Sequence, residues 1–167
     1  PNQTLNEITG IILKKIKSVL TLFEPDLVLV HGDTSTTFAS SLSAYFEKID
    51  VGHVEAGLRT GNIYSPWPEE INRKLTGSIA RFHFAPTNLA KQNLIDENVH
   101  KEAICVTGNT VIDALLMVKK KIESDFEMSR QLAKDFKFVD FSKKVILVTG
   151  HRRENFGSGF TEICTAL

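Results

Sequence analysis

The sequence predicts an α/β protein whose parallel strands are covered on both faces by helices. Short apolar runs, such as residues 27–30 and 145–148, alternate along the chain with longer segments whose apolar residues recur at helical spacing. Strands that are joined by helices pair in parallel, because each crossover brings the chain back in the same direction. Ligands of such folds bind outside the carboxyl ends of the strands, so polar residues at those ends are the first candidates for function.

The elements follow one another in a regular order. The first helix is indicated by apolar residues at helical spacing from Ile8 to Phe23, and Pro25 ends it. Further helices are predicted at 36–47, 69–80, from 88 onward and at 111–118, and strands at 27–30, 51–54, 82–85, 103–106 and 145–148. The Lys-rich stretch 119–144 has acids among its lysines, which indicates a solvated helix with a linker.

Composition and charge exclude several classes of function. The 167 residues include 20 Lys and Arg against 20 Asp and Glu, so no broad basic surface favours nucleic acid or an anionic membrane. No apolar run approaches the roughly 20 residues of a membrane span, and no signal peptide is visible, which favours a cytoplasmic protein. Neither a G-x-G-x-x-G nor a P-loop motif occurs.

The cysteines and the ends of the sequence carry two further expectations. Cys105 and Cys164 lie far apart and outside any metal-ligand spacing, so we expect reduced, buried thiols and no metal site. The sequence begins at Pro1 without an early methionine and ends at Leu167 within an apolar-periodic run that has no stop signal. We therefore expect a piece of a longer protein.

Polar residues collect after four of the predicted strands: His31 and Asp33, Glu55 and Arg59, Thr107 and Asn109, and residues 151–154. In the loop after the first strand, either Asp33 or a neighbouring Thr caps the next helix, or Asp33 points its carboxylate into a cleft, and its position favours neither. Glu55 follows an apolar strand, where it either pairs with Arg59 or serves a site. The site is favoured, because a buried strand-end acid without a purpose is costly.

Two other segments are less specific. The acids Glu69 and Glu70 follow Pro68, a pattern that by itself indicates helix capping, although the aromatic loop before it could cover a pocket. His151, Arg152, Arg153 and Glu154 directly follow the last apolar run. This segment is either a charged surface turn in which Glu154 pairs with an arginine, or an anion site, and the two guanidinium groups favour phosphate or pyrophosphate.

Taken together, six motifs in this order resemble the non-hydrolysing UDP-N-acetylglucosamine 2-epimerases of bacterial cytoplasm. The motifs are HGDTSTT, GHVEAGLRTG, YSPWPEEINR, FAPT, TGNTVIDAL and TGHRREN, and the match runs over essentially the whole chain. The resemblance implies two Rossmann-like domains that face each other across a cleft, a GT-B-type architecture. Residues 1–108 would then be the latter part of the N-terminal domain, 109–144 the crossover helix and linker, and 145–167 the start of the C-terminal domain.

The resemblance also implies a reaction, namely interconversion of UDP-N-acetylglucosamine and UDP-N-acetylmannosamine through elimination and re-addition of UDP. Asp33, Glu55, Glu69 and His151 match the positions implicated in catalysis in this family. The substrate-binding positions carried over are Asp33, Glu55, Arg59, His151, Arg152 and Glu154. No cofactor is implied, whereas a regulatory second UDP-N-acetylglucosamine site and a homodimer are.

Three other functions stay open at this point. A hydrolysing 2-epimerase would release N-acetylmannosamine if water reached the glycal intermediate. A GT-B glycosyltransferase is disfavoured, because the carboxylate set suits proton transfer at carbon 2 better than acceptor activation. The chain could also be an inactive nucleotide-sugar-binding fragment.

Overall fold

A parallel sheet organises the first two thirds of the chain in the computed structural model, which describes residues 3–149 and 157–167. Its strands are β1 (Leu27–His31), β2 (Asp50–Val54), β3 (Phe82–Ala85) and β4 (Ile104–Val106), and they lie side by side in the order β1-β2-β3-β4. All three pairings are parallel, and His53 of β2 lies opposite Val30 of β1 and His83 of β3. The loops that follow the four strands therefore emerge at one edge, the carboxyl edge of the sheet.

Helices connect the strands and continue after them. They are α1 (Leu5–Phe23), α2 (Ser35–Phe46), α3 (Glu69–Ile79), α4 (Asn88–Asp96), α5 (Thr110–Ser124), α6 (Phe126–Asp135) and α7 (Ser158–Ala166), with a short 3₁₀ turn at Lys101–Ala103. Polar side chains start several of them: Thr4 and Glu7 form a capping box at α1, and Thr87 caps α4. The chain divides into two compact units, Pro1–Asn109 and Thr110–Leu167.

Two apolar clusters hold the first unit together. One joins Ala56, Ala85, Ala90, Leu94 and Ile104, and the other joins Leu20, Val30, Ala44 and Val51. Leu94 is completely buried in the first cluster, so its truncation to alanine is expected to cost about 2–5 kcal/mol. The buried face of α2 consists of small residues, such as Ala39 and Ser41. These clusters hold the sheet and its carboxyl edge in place.

The predicted fifth strand is wrong for the residues that the structure describes. Residues 144–149 form neither strand nor helix, and the apolar side chains of 145–148 are 49–87% exposed. A strand requires a neighbour that takes up its backbone hydrogen bonds, and the described residues of the Thr110–Leu167 unit contain no other strand. An apolar run alone predicts extended backbone but not the presence of its partner.

The expectation of buried thiols is also wrong, since Cys105 and Cys164 are both exposed. In β4, the last strand of the described sheet, Ile104 packs into the core. Successive side chains of a strand point to opposite faces of the sheet, so the thiol of Cys105 points away from that core. Cys164 lies on α7, whose described residues are mostly exposed. Within the described ranges, no helix combines the length and apolarity needed to cross a bilayer.

Candidate active site

The loop after β1 carries Asp33 at the carboxyl edge of the sheet. Capping of α2 belongs to Thr34, whose Oγ1 accepts the backbone N–H of Thr37 at 3.2 Å. Thr37 in turn donates its hydroxyl to the carbonyl of His31 at 2.6 Å. Since Thr34 caps the helix, the carboxylate of Asp33 is left for another partner.

Gly32 joins this loop to the end of β2. Its φ of +72° lies in the left-handed region, which glycine adopts without a side-chain penalty. Its N–H donates to the carbonyl of Val54 at 3.0 Å, and its own carbonyl accepts the Nε2–H of His53 at 2.7 Å. A Cβ at position 32 would lie 3.6 Å from Oε2 of Glu55. The first two strand-end loops are therefore in direct contact.

Glu55 directly follows β2 and has a strained backbone conformation, with φ of +67°. The other described non-glycine residues with positive φ, Glu24, Lys48 and Asn98, all lie at helix C-termini, where this conformation commonly ends a helix. Glu55 instead lies in the turn that follows a strand, so that explanation does not apply to it. A left-handed residue of this type costs about 1–2 kcal/mol, and such strain concentrates at functional sites.

His31 faces the Glu55 carboxylate across the two loops. Its Nε2 lies 3.4 Å from Oε2 of Glu55, and the two side chains are 58% and 28% exposed. The imidazole and the carboxylate thus form a pair at the surface of the carboxyl edge. A ligand bound at this edge can reach both groups.

Arg59 does not pair with Glu55, so the salt bridge that the sequence allows as the alternative to a functional site is absent. Its Nε and Nη2 donate to the two carboxylate oxygens of Glu97 at 2.9 and 2.7 Å, and Nη1 donates to the carbonyl of Leu58 at 2.7 Å. The Arg59 side chain is only 9% exposed. These hydrogen bonds hold the pKa of the Glu97 carboxyl below its usual value. Arg59 therefore ties the loop after β2 to the end of α4.

Glu69 and Glu70 begin α3 but have different surroundings. Glu69 is partly exposed at the first position of the helix. Glu70 is completely buried, and its carboxylate accepts the backbone N–H of Thr60 at 3.1 and 3.2 Å and that of Gly61 at 3.1 Å. Glu70 therefore binds the backbone of the loop after β2.

Asp33 finds its partner on the same helix. Nη2 of Arg73 lies 2.6 Å from Oδ2 of Asp33, and Nη1 of Arg73 lies 3.4 Å from Oε2 of Glu70. The amide of Asn72 donates to the carbonyl of Asp33 at 2.9 Å. Helix α3 thus holds Asp33 in place by binding both the backbone carbonyl and the carboxylate of Asp33.

His53 and His83 are buried side by side on β2 and β3, with 0% and 2% of their surface exposed. Burial lowers the pKa of His53 to about 4, and it lowers the pKa of His83 as well. Because the carbonyl of Gly32 only accepts, Nε2 of His53 carries the proton. Among the described residues, no donor reaches Nδ1 of either ring. His53 is therefore a neutral imidazole that holds the first loop in place.

The structure brings some of the predicted site residues together and does not describe others. Asp33 and Glu55 lie in adjoining loops of the carboxyl edge, and Glu69 starts the helix that binds Asp33. His151, Arg152 and Glu154 lie outside the described residues. The described part of the chain contains no group of three or more His, Cys, Asp or Glu side chains that could hold a metal ion.

Sequence reasoning missed four polar residues around the site: His53, Glu70, Asn72 and Arg73. Two signals point to three of them, and none points to Asn72. A histidine in an otherwise apolar strand requires a hydrogen-bond partner, and Glu70 and Arg73 have the i,i+3 spacing at which opposite charges meet on a helix.

These observations define an α/β domain with a candidate ligand site at the carboxyl edge of a parallel sheet, where acids lie on adjoining loops. The family model of UDP-N-acetylglucosamine 2-epimerase matches residues 1–167. The chain belongs to this family, as its motifs predicted, and the predicted Rossmann-like fold class is confirmed.

Individual relatives agree with the family match. The UDP-N-acetylglucosamine 2-epimerase of Escherichia coli strain K12 is 59% identical over 167 residues, which are 100% of this chain and 44% of that protein. The crystal structure of the Neisseria meningitidis UDP-GlcNAc 2-epimerase bound to UDP-GlcNAc matches with a TM-score of 0.92 and 50% identity, over 99% of this chain and 46% of that one. The Methanocaldococcus jannaschii enzyme in complex with UDP-GlcNAc and UDP matches with a TM-score of 0.71 and 46% identity, over 75% and 34% of the two chains. The chain thus spans less than half the length of these relatives.

Proposed function

We propose that this chain supplies part of the active site of an enzyme that epimerises UDP-N-acetylglucosamine at carbon 2 to UDP-N-acetylmannosamine. The observation that carries the proposal is the meeting of Asp33 and Glu55 at one sheet edge, in loops joined by the Gly32 contacts. It is supported by the family match and by relatives whose structures hold UDP-GlcNAc.

The chemistry explains why several acids are required. The hydrogen on carbon 2 has no neighbouring carbonyl that would acidify it, so direct deprotonation is unfavourable. Elimination avoids this problem: a base removes the proton, its bond pair forms the double bond between carbons 1 and 2, and UDP leaves with the pair of the broken carbon–oxygen bond. Re-addition of UDP with protonation of carbon 2 on the other face gives the epimer. A proton acceptor and a proton donor near carbon 2 are therefore needed.

Asp33, Glu55 and Glu69 are the proposed acids and bases of this reaction. Asp33 and Glu55 are each 28% exposed, which leaves their carboxylates accessible to a sugar at the carboxyl edge. The leaving pyrophosphate gains charge as its bond to carbon 1 breaks, and we assign the motif around His151 and Arg152 to this group. Cationic donors stabilise such charge more strongly in the transition state than in the ground state.

A chimera provides the test. This chain replaces the matching segment of the E. coli relative, to which it is 59% identical, and the purified chimera is incubated with UDP-N-acetylglucosamine in deuterated water. Deuterium at carbon 2 of the recovered UDP-sugars supports the proposal. Release of free N-acetylmannosamine would instead indicate a hydrolysing 2-epimerase. A folded chimera that binds the nucleotide sugar and produces neither change would contradict catalysis.

The regulatory site and the homodimer belong to the same proposal. If UDP-N-acetylglucosamine also activates the enzyme, conversion of UDP-N-acetylmannosamine by the chimera rises when traces of UDP-N-acetylglucosamine are added. Light scattering of the chimera measures its oligomeric state, and a monomeric mass would contradict the dimer.

A further inference from the structure

Helix α3 binds both strand-end loops through buried, charged side chains. Glu70 is completely buried and accepts three hydrogen bonds from the backbone N–H groups of Thr60 and Gly61. A buried carboxylate is costly unless hydrogen bonds and an opposite charge compensate it. Arg73 supplies that charge, with its Nη1 at 3.4 Å from Oε2 of Glu70.

The same guanidinium group reaches Asp33. Its Nη2 lies 2.6 Å from Oδ2 of Asp33, and the Arg73 side chain is only 10% exposed. The guanidinium is planar, and its terminal nitrogens have a fixed separation, so it fixes the direction of one carboxylate relative to the other. A lysine ammonium is a point charge at the end of a flexible stem and lacks this geometry.

Arg73 and Glu70 connect two candidate catalytic segments rather than two parts of the interior of the fold. Arg73 contacts Asp33, and Glu70 contacts the loop that continues from Glu55. Buried ion pairs often stabilise folds no better than apolar side chains of similar volume, so fold stability alone is a weak reason for the charge of Arg73 at this position. Orientation of an active-site carboxylate does explain it.

We propose that Arg73, anchored by Glu70, is a positioning residue that sets the direction of the Asp33 carboxylate for the reaction at carbon 2. This inference rests on the proposed epimerase function. A misplacement of a reacting group by about 1 Å can lower the rate by about a hundredfold. The effect of Arg73 is therefore expected to fall on turnover rather than on substrate binding.

The test uses the chimera and measures kcat and KM for UDP-N-acetylglucosamine. Arg73→Lys is expected to lower kcat by about a hundredfold with KM changed less than about threefold. Glu70→Gln is expected to lower kcat to a smaller extent, since its amide oxygen can still accept the N–H groups of Thr60 and Gly61, which both point to Oε1, but the side chain no longer carries the charge that holds Arg73. Arg81→Lys is the matched control: Arg81 pairs with Asp50 at the opposite edge of the sheet, and kcat is expected to stay unchanged.

A double-mutant cycle separates positioning from a general structural role. If Arg73 acts through Asp33, Arg73→Lys costs little further turnover in an Asp33→Asn background. Deuterium incorporation at carbon 2, followed by mass spectrometry, gives the sensitivity that these slow variants require. If Arg73→Lys does not fold, the same cycle is carried out with Glu70→Gln.

The outcomes of the two hypotheses are distinct. A folded wild-type chimera without epimerisation overturns the proposed function. An active chimera in which Arg73→Lys keeps full kcat, or in which the losses from the Arg73 and Asp33 substitutions multiply, overturns the positioning role alone.

Discussion

Arg59 binds Glu97 through two hydrogen bonds of 2.9 and 2.7 Å, although 38 positions separate the two residues along the chain. Because its guanidinium group binds Glu97, Arg59 does not form a salt bridge with Glu55, four residues earlier. The carboxylate of Glu55, whose backbone is strained, instead faces His31 and the carboxyl edge. Its position is not explained by a salt bridge within its own loop, which strengthens the case for a role in the reaction.

Removal of the Glu55 charge tests that role. Glu55→Gln in the chimera is expected to lower turnover by about 10²–10⁴-fold with substrate affinity changed only slightly, as for loss of a general acid or base. Glu47→Gln is the matched control, because Glu47 is similarly exposed, at 31%, and pairs with Lys17 on the helical layer. Steady-state kinetics measures both variants. Near-normal turnover of Glu55→Gln would remove Glu55 from the mechanism.

Acid is expected to destabilise the fold through His53. The folded pKa of His53 is about 4, below its usual value of 6.5, so the unfolded chain binds more protons between these two pH values. Stability is therefore highest above pH 6.5 and falls as the pH drops towards 4, with a contribution from His53 of at most about 3 kcal/mol.

Two measurements check this expectation. NMR titration of the His53 ring should give its low pKa directly. Denaturant unfolding of His53→Gln, whose side chain can still donate a hydrogen bond to the carbonyl of Gly32, should depend less on pH between 6.5 and 4 than that of the wild type. An equal pH dependence in both proteins would show that His53 is not the group responsible.

Gly57 is expected to be intolerant of any side chain. A Cβ there would lie 2.2 Å from the carbonyl oxygen of Ala90 and 3.0 Å from Cγ of Leu94, in addition to the strain of its φ of +88°. Gly57→Ala should lower the free energy of unfolding by at least about 3 kcal/mol. Gly61→Ala isolates the backbone term, because Gly61 has a similar φ of +78° with no atom within 4 Å of its Cβ position, and it should cost about 1–2 kcal/mol. Similar losses in denaturant unfolding would argue against the clash.

The segment around His151 is expected to act on the leaving group. His151→Ala in the chimera should slow epimerisation by roughly a hundredfold or more, since loss of one donor to a developing oxyanion typically costs about 3 kcal/mol. Substitution of Arg152 should have a similar effect and also weaken activation by UDP-N-acetylglucosamine. His100→Ala, at an exposed histidine, serves as the control in the same exchange assay at saturating substrate. Wild-type rates in both His151 and Arg152 variants would indicate a charged surface turn.

The alternation of strands and helices, the edge where the polar residues collect and the family were all predictable from the sequence. The four strands of the sheet and the helices from α1 to α4 lie where hydrophobic periodicity placed them, with small shifts at their ends, whereas α5 continues to Ser124 instead of ending at 118. Such patterns are local, because the periodicity of an element and its end signals are set by residues close together in the chain. The order of the six motifs, in addition, indicated the family to which the chain belongs.

The tertiary structure decided which side chains pair and which groups lose water. Arg59 binds Glu97 rather than Glu55, Asp33 pairs with Arg73 of α3, and Glu70 rather than Glu69 is buried. These outcomes depend on how α3 and α4 pack against strand ends that are distant in sequence, and desolvation is a property of that packing. The apolar run at 145–148 shows the same limit, since local sequence favours extended backbone but only a neighbouring strand can complete its hydrogen bonds.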